Sequence, residues 1–286
     1  MSAPDIQKVI GRIDKLPTLP HVVTTLTDLI RNPNTSAADI HQVISKDQSL
    51  SSRILRLVNS AFYGFSERIS SISHAIVILG FNTVKNVALT ASVFEMFPKE
   101  SKEDVPFDRK AFWLHSFACA STTRLIARKV RIATIEDMFI AGLLHDVGKL
   151  VLDQFVHDKF VEIVKCVKAK NNLIMDAEAE ILEGIDHSRI GGWLAAQWKL
   201  PSALVQIIGL HHQPELGEDL MKPIACVHLA DILIRSLDIG NGGDKKIPRI
   251  HKEAWEVLGL DYHALDEIME SIENELTDVE LFIAEG

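Results

Sequence analysis

The sequence predicts an all-α, multi-helical protein. Apolar residues recur at three- and four-residue spacing almost throughout, sustained period-two alternation is absent, and Pro and Gly fall where helices begin and end. In the N-terminal part, Val22, Leu26, Leu29 and Ile30 show the spacing, and Gly80 follows a periodic run as a helix stop would. The charged link PKESKEDVPFDRK at 98–110 is the best boundary, dividing an N-terminal helical subdomain (1–107) from a second helical unit (108–286). Beyond it, Ile140, Leu143, Leu144, Val147 and Val151 continue the period, and Gly184 marks another stop. Pro201 and Pro223 stand where first helical residues belong, positions that tolerate a missing N–H. SLDIGNGGDKKIPR at 236–249 is rich in Gly and charge and reads as a mobile loop. The segment 261–285 reads as an acidic amphipathic helix with Leu265, Ile268, Met269, Ile272 and Leu276 on one face.

Size and composition narrow the function. A chain of 286 residues, 47% hydrophobic, can bury a core without disulfides. Cys119, Cys166 and Cys226 lack CxxC spacing, so neither a disulfide framework nor a zinc ribbon is indicated and a reducing cytoplasm is the expected location. No signal-peptide pattern opens the sequence, and no run approaches the roughly 20 uninterrupted apolar residues of a membrane span. Of the net charge of −9, eleven carboxylates fall within 253–286, a stretch without Lys or Arg. An acidic surface disfavours nucleic acid, whose affinity rests on cationic contacts to phosphate.

Chemistry is concentrated in polar residues on apolar helices. GLLHDVGK at 142–149 sets His145 and Asp146 between Phe139, Ile140 and Leu150. An ionised Asp at such a place needs a cation or hydrogen bonds, because desolvation costs several kcal/mol. ACVHLADILI at 225–234 repeats the anomaly with Asp231, and WLHSFACA at 113–120 with His115. DHSRIGGWLAAQW at 186–198 places His187 near a helix start, and GLHHQPE at 209–215 places His211 and His212 at a helix end. Each has a bland alternative: a lone core histidine with a local partner, a surface turn, or, for Gly148 and Lys149, a helix end. Together, five helices offer imidazoles and carboxylates at apolar positions, a nitrogen and oxygen donor set suited to Mn, Fe, Zn or Mg.

The order His115, His145–Asp146, His187, His211–His212, Asp231 resembles the HD superfamily of metal-dependent phosphohydrolases. The longer pattern resembles its HDOD family, through LPTLPHVVTTLTDLI at 16–30, DIHQVISKDQSLSSRILRLVNSAFYG at 39–64 and ISSISHAIVILG at 69–80, together with the segments above. The resemblance covers about residues 5–235. It implies a helical HDOD fold, with an HD-like subdomain following the N-terminal one, and a role in bacterial signal transduction. His115, His145, Asp146 and Asp231 match the mononuclear HD ligand set, with Asp146 the bridge between two ions. His187, His211 and His212 match the extra ligands of the related HD-GYP branch, and Lys149 matches a lysine that contacts substrate phosphate there. The implied cofactor is a pair of divalent ions drawn from Fe, Mn, Zn, Ni or Mg. Two departures speak against cleavage of cyclic di-GMP: QPELGEDL follows His212 in place of a GYP loop, and Ala111 stands where some members carry a further Glu ligand. The Asn59, Ser60, Tyr63 segment is a family hallmark by resemblance, and its residues read as a turn anchored by Phe62 and Phe65.

Two functions follow. In the first, the chain is a signalling or regulatory module whose ion is structural or sensory and which engages a partner protein. In the alternative it is a phosphohydrolase or phosphodiesterase in which Asp146 orients a metal-activated water and Lys149 steadies charge on a phosphoester. An enclosed centre favours the module, and a wide cleft lined with cations favours the hydrolase.

Overall fold

The computed structural model describes residues 18–32, 34–59, 68–97 and 107–272, whose regular elements are all helices, with no strand among them. They form two compact units, one within Pro17–Pro98 and one within Lys99–Asn274.

The first unit holds α1 (His21–Arg31), α2 (Ala37–Ile44), α3 (Gln48–Val58) and α4 (Ile72–Met96). Ser36 and Asp39 form a reciprocal capping box at the start of α2, and Asp47 caps α3 by accepting from Leu50 N at 2.9 Å. Leu26, Ile40, Ile44, Leu50 and Ile54 are buried. The stop read at Gly80 is present: with φ of 77° and ψ of 170° it leaves helical geometry, so α4 is two helices joined across a kink at this residue. By length and composition α4 would suffice to cross a membrane, but 56% of its most apolar stretch is buried inside the protein and Asn86, Thr90 and Ser92 are buried in it. Asn59 clasps Ile69 from both sides, with Ile69 N donating to Oδ1 at 2.7 Å and Nδ2 donating to Ile69 O at 2.8 Å. Ser60, Phe62, Tyr63 and Phe65, and the link at 98–106, lie outside the described residues.

The second unit holds α5 (Arg109–Lys129), α6 (Ile135–Leu144), α7 (Val147–Phe155), α8 (His157–Lys170), α9 (Ile174–Ile181), α10 (His187–Gln197), α11 (Ser202–Leu210), a 3₁₀ turn (Pro214–Leu220), α12 (Met221–Ser236), α13 (Lys252–Leu258) and α14 at 262–272. Asp108 caps α5 through Lys110 N and Ala111 N, and its next residue, Arg109, is buried against Asp153 with Nε 2.7 Å from Oδ2. Pro201 precedes α11 as its cap and Pro223 is the third residue of α12, each within a turn of the position expected. Helix α5 packs on α6 and α12, while α10 packs on α7 and α11. Phe112, Trp113, Phe117, Ile140, Leu150, Ile190 and Ile208 form part of the core, and burying each such side chain contributes about 1.5–3 kcal/mol. Ala264, Ile268 and Ile272 bury one face of α14; Leu276 lies beyond the described residues.

Candidate metal centre

All seven residues singled out as ligands meet in the second unit. His115 projects from α5 and Asp231 from α12; His145 and Asp146 form the junction of α6 and α7; His187 opens α10, and His211 and His212 directly follow α11. The local sequence explains these placements. Asp186 caps α10 by accepting from Arg189 N at 3.1 Å, fixing the start at which His187 sits. Asp146 stands in the cap position of α7 yet makes no capping bond, its carboxylate being turned into the centre. Gly148 and Lys149 therefore begin a helix rather than end one.

Asp146 lies in the middle. Its Oδ2 is 3.6 Å from His115 Nε2 and 3.4 Å from His145 Nε2, while Oδ1 is 3.0 Å from His187 Nε2 and 3.8 Å from His211 Nε2. Asp231 Oδ1 is 3.2 Å from His115 Nε2 and 3.9 Å from His145 Nε2, and His212 Nε2 is 2.9 Å from His187 Nε2. Among the described residues, two groups of donor atoms, each within 4.8 Å of one another, can hold an ion: His115, Cys119, His145 and Asp231 in one, Asp146, His187, His211 and His212 in the other.

These residues fit a metal by two independent tests. His145 Nε2, His211 Nε2, Asp146 Oδ1 and Asp231 Oδ1 are buried without an aligned hydrogen-bond partner, a costly state for four polar atoms so close together. Three rings are also oriented through their other nitrogen: Nδ1 of His145 meets Gly142 O at 2.7 Å, Nδ1 of His211 meets Ile208 O at 2.8 Å, and Nδ1 of His187 meets Glu178 Oε2 at 2.5 Å. A ring held at Nδ1 presents Nε2 to an ion, the usual outer-shell arrangement of metal sites.

Electrostatics divide the histidines. Burial opposes protonation of His145, but Asp146 and Asp231 outweigh it and hold the ring at about 9. Burial acts the same way on His187, where Glu178 brings the value to about 9. Burial, with His145 and His187 beside it, drives His211 down to about 3, and burial lowers His115 and His212 as well. Burial disfavours ionised Asp146, yet His145, Lys149 and His187 hold its carboxyl well below the usual carboxylate range; Arg235 does the same for Asp231.

Lys149 is 1% exposed, with Nζ 2.6 Å from Asp146 Oδ2, so its charge is directed at the Asp146 carboxylate. His228, the one histidine of α12, follows the bland reading: its Nδ1 meets His211 O at 2.9 Å and its Nε2 accepts from His251 N at 3.2 Å.

Sequence reasoning missed three contributors. Glu178 is fully buried and receives both the backbone N–H of His187 and its ring, but within AEAEILEG it reads as one more surface acid. The Glu178→Ala protein is expected to bind metal roughly 10- to 100-fold more weakly by calorimetric titration, while Asp176→Ala, on the same helix, leaves affinity unchanged. Cys119 lies one turn after His115. The third is the loop expected to be mobile, which is anchored instead: Asn241 N donates to Ala111 O at 2.9 Å, Arg235 Nε donates to Lys246 O at 2.9 Å, and Arg235 Nη2 meets Asp244 Oδ1 at 2.5 Å. A Cβ placed on Gly242 would lie 3.5 Å from His115 Nε2 and 3.6 Å from Asp146 Oδ2, so the loop backbone covers the centre. Beside it, a cavity of about 510 Å³ is lined by residues including Asn171, Asn172, His212, Lys246 and Arg249.

Comparison with known proteins agrees with this architecture. The HDOD domain family profile matches residues 16–214. A crystal structure of an HDOD domain protein with unknown function from Geobacter sulfurreducens is similar with a TM-score of 0.84 at 24% identity, covering 98% of this chain and 97% of that one. A candidate phosphohydrolase from Shewanella amazonensis SB2B gives a TM-score of 0.76 at 25% identity, covering 99% and 98%. An uncharacterized protein of Treponema pallidum (strain Nichols) is 29% identical over 243 residues, which is 84% of this chain and 46% of the relative's length. With seven ligand-type residues converging in a helical unit and the family pattern spanning most of the sequence, the chain belongs to the HDOD family.

Proposed function

We propose that the protein is an HDOD signalling module built around an enclosed two-ion centre, acting in the cytoplasm through a partner protein. The observation that carries this reading is enclosure: every one of the seven residues is at most 7% exposed, and the Gly242 backbone lies across His115 and Asp146. His115, His145 and Asp231 would hold one ion and His187, His211 and His212 the other, with Asp146 facing both. A bound ion ties together segments distant in sequence and makes the fold dependent on metal. Lys149 then serves as a positioning residue, holding the Asp146 carboxylate ionised and fixed. A second reading, hydrolysis of a small phosphoester, draws support from the cavity wall shared by His212, Lys246 and Arg249.

Protein purified without chelator is expected to carry one to two equivalents of a transition metal. Stripping the metal should lower the melting temperature by roughly 5–10 °C relative to a hundredfold excess of metal over Kd. Wild type and Asp146→Ala should show the same background rate on generic phosphodiesters and phosphomonoesters. Turnover that depends on Asp146 would move the assignment to the hydrolase, and a melting curve indifferent to metal would remove the ions from both readings.

A further inference from the structure

Cys119 follows His115 by four residues on α5, which places both side chains on one face of that helix. It is fully buried, and its Sγ lies 3.5 Å from His115 Nε2. The same group of donor atoms contains His145 Nε2 and Asp231 Oδ1, both buried without an aligned hydrogen-bond partner. We infer that Cys119 is a thiolate ligand of the ion held by His115, His145 and Asp231, and that this half of the centre selects zinc, iron, cobalt or nickel over magnesium and manganese.

Distances favour this assignment. A tetrahedral ion about 2.05 Å from nitrogen and about 2.3 Å from sulfur sets those two atoms about 3.5–3.6 Å apart, and its nitrogen and oxygen ligands about 3.4 Å apart. The observed separations are 3.5 Å for Cys119 Sγ to His115 Nε2 and 3.2 Å for His115 Nε2 to Asp231 Oδ1. His145 Nε2 is farther from Asp231 Oδ1, at 3.9 Å. Binding requires no oxidant: the S–H bond gives its proton to solvent as the metal–sulfur bond forms, and every oxidation state is retained. Thiolate is a soft donor, whereas magnesium demands oxygen ligands in near-octahedral array and manganese favours carboxylate and water. The competing account is a buried thiol acting as a small apolar side chain that donates a weak hydrogen bond to His115.

The inference rests on ions occupying the centre, and one titration separates the two claims. Full-length protein, stripped with chelator, is titrated with cobalt(II) and followed by absorption from the near ultraviolet through the visible. Expected are visible ligand-field bands together with an intense sulfur-to-cobalt charge-transfer band. That band should disappear in Cys119→Ser and Cys119→Ala and persist in Cys166→Ser and Cys226→Ser. Zinc affinity should fall at least roughly 10- to 100-fold in Cys119→Ser, the scale on which even outer-shell partners act. Ligand-field bands in wild type without the charge-transfer band would overturn the Cys119 assignment while leaving the ion centre standing. No cobalt uptake by folded protein would overturn both. The wild-type spectrum decides the matter even should the Cys119 variants fail to fold.

Discussion

Asp146→Ala is expected to lose both ions and to be less stable than wild type even without metal. Asp146 is the residue that faces both groups of donors, with Oδ2 toward His115 and His145 and Oδ1 toward His187 and His211. Removing it should weaken metal binding by at least about 100-fold, the upper end of what loss of a supporting residue costs and a lower bound for a ligand. The metal-free penalty has another source. Lys149 Nζ, 1% exposed, is paired with this carboxylate at 2.6 Å, and stranding a buried charge costs about 3–5 kcal/mol. The paired variant Asp146→Ala with Lys149→Met should therefore regain much of the stability and none of the metal. Urea denaturation of chelated protein and elemental analysis of purified protein check the two halves separately. Metal content equal to wild type in Asp146→Ala would exclude that residue as a ligand.

Gly148→Ala should be nearly as damaging although it removes no chemical group. A Cβ at that position would lie 2.0 Å from His187 O and 2.9 Å from Gly191 N, both backbone atoms, so α7 and α10 must separate to admit it. Overpacking of this kind costs about 3 kcal/mol or more where the obstacle is backbone rather than a flexible side chain. The same shift moves His145 and Asp146 away from His187, so metal affinity should fall together with stability. Gly209→Ala is the control. Its nearest neighbours would stand 3.7 and 4.0 Å away, and the change should stay within about 1 kcal/mol of wild type. Thermal denaturation with and without zinc distinguishes the pair, and a Gly148→Ala protein that melts with wild type would show that the two helices can part freely.

Those two residues mark how far sequence reasoning reaches. The helical class follows from periodicity, and His115, His145, Asp146 and Asp231 were visible because each is a polar residue inside an apolar run, an anomaly that single-residue chemistry detects; His187, His211 and His212, at a helix start and a helix end, were singled out by the family resemblance. Glu178 was invisible for the opposite reason: an acid among acids on a short helix carries no sign that its neighbours in space are His187 and the helix start at Asp186. The loop at 236–249 has the composition of a mobile segment, and only tertiary contacts, the Arg235 guanidinium on Asp244 and Lys246 and the Asn241 amide on Ala111, anchor it. Gly148 and Lys149 read equally well as a helix end, because direction along a helix is decided by where His145 and Asp146 turn. Gly80 conveyed its backbone conformation correctly, although the chain resumes helix beyond it.

The covering of His115 and Asp146 by the Gly242 backbone has a kinetic corollary. An ion held beneath a tethered strap would leave when local opening freed it, so its residence time would depend on that opening as well as on the intrinsic strength of each bond. Occupancy would then lag behind changes in the surrounding supply, and a population of these molecules would carry a record of earlier abundance instead of a reading of the present one.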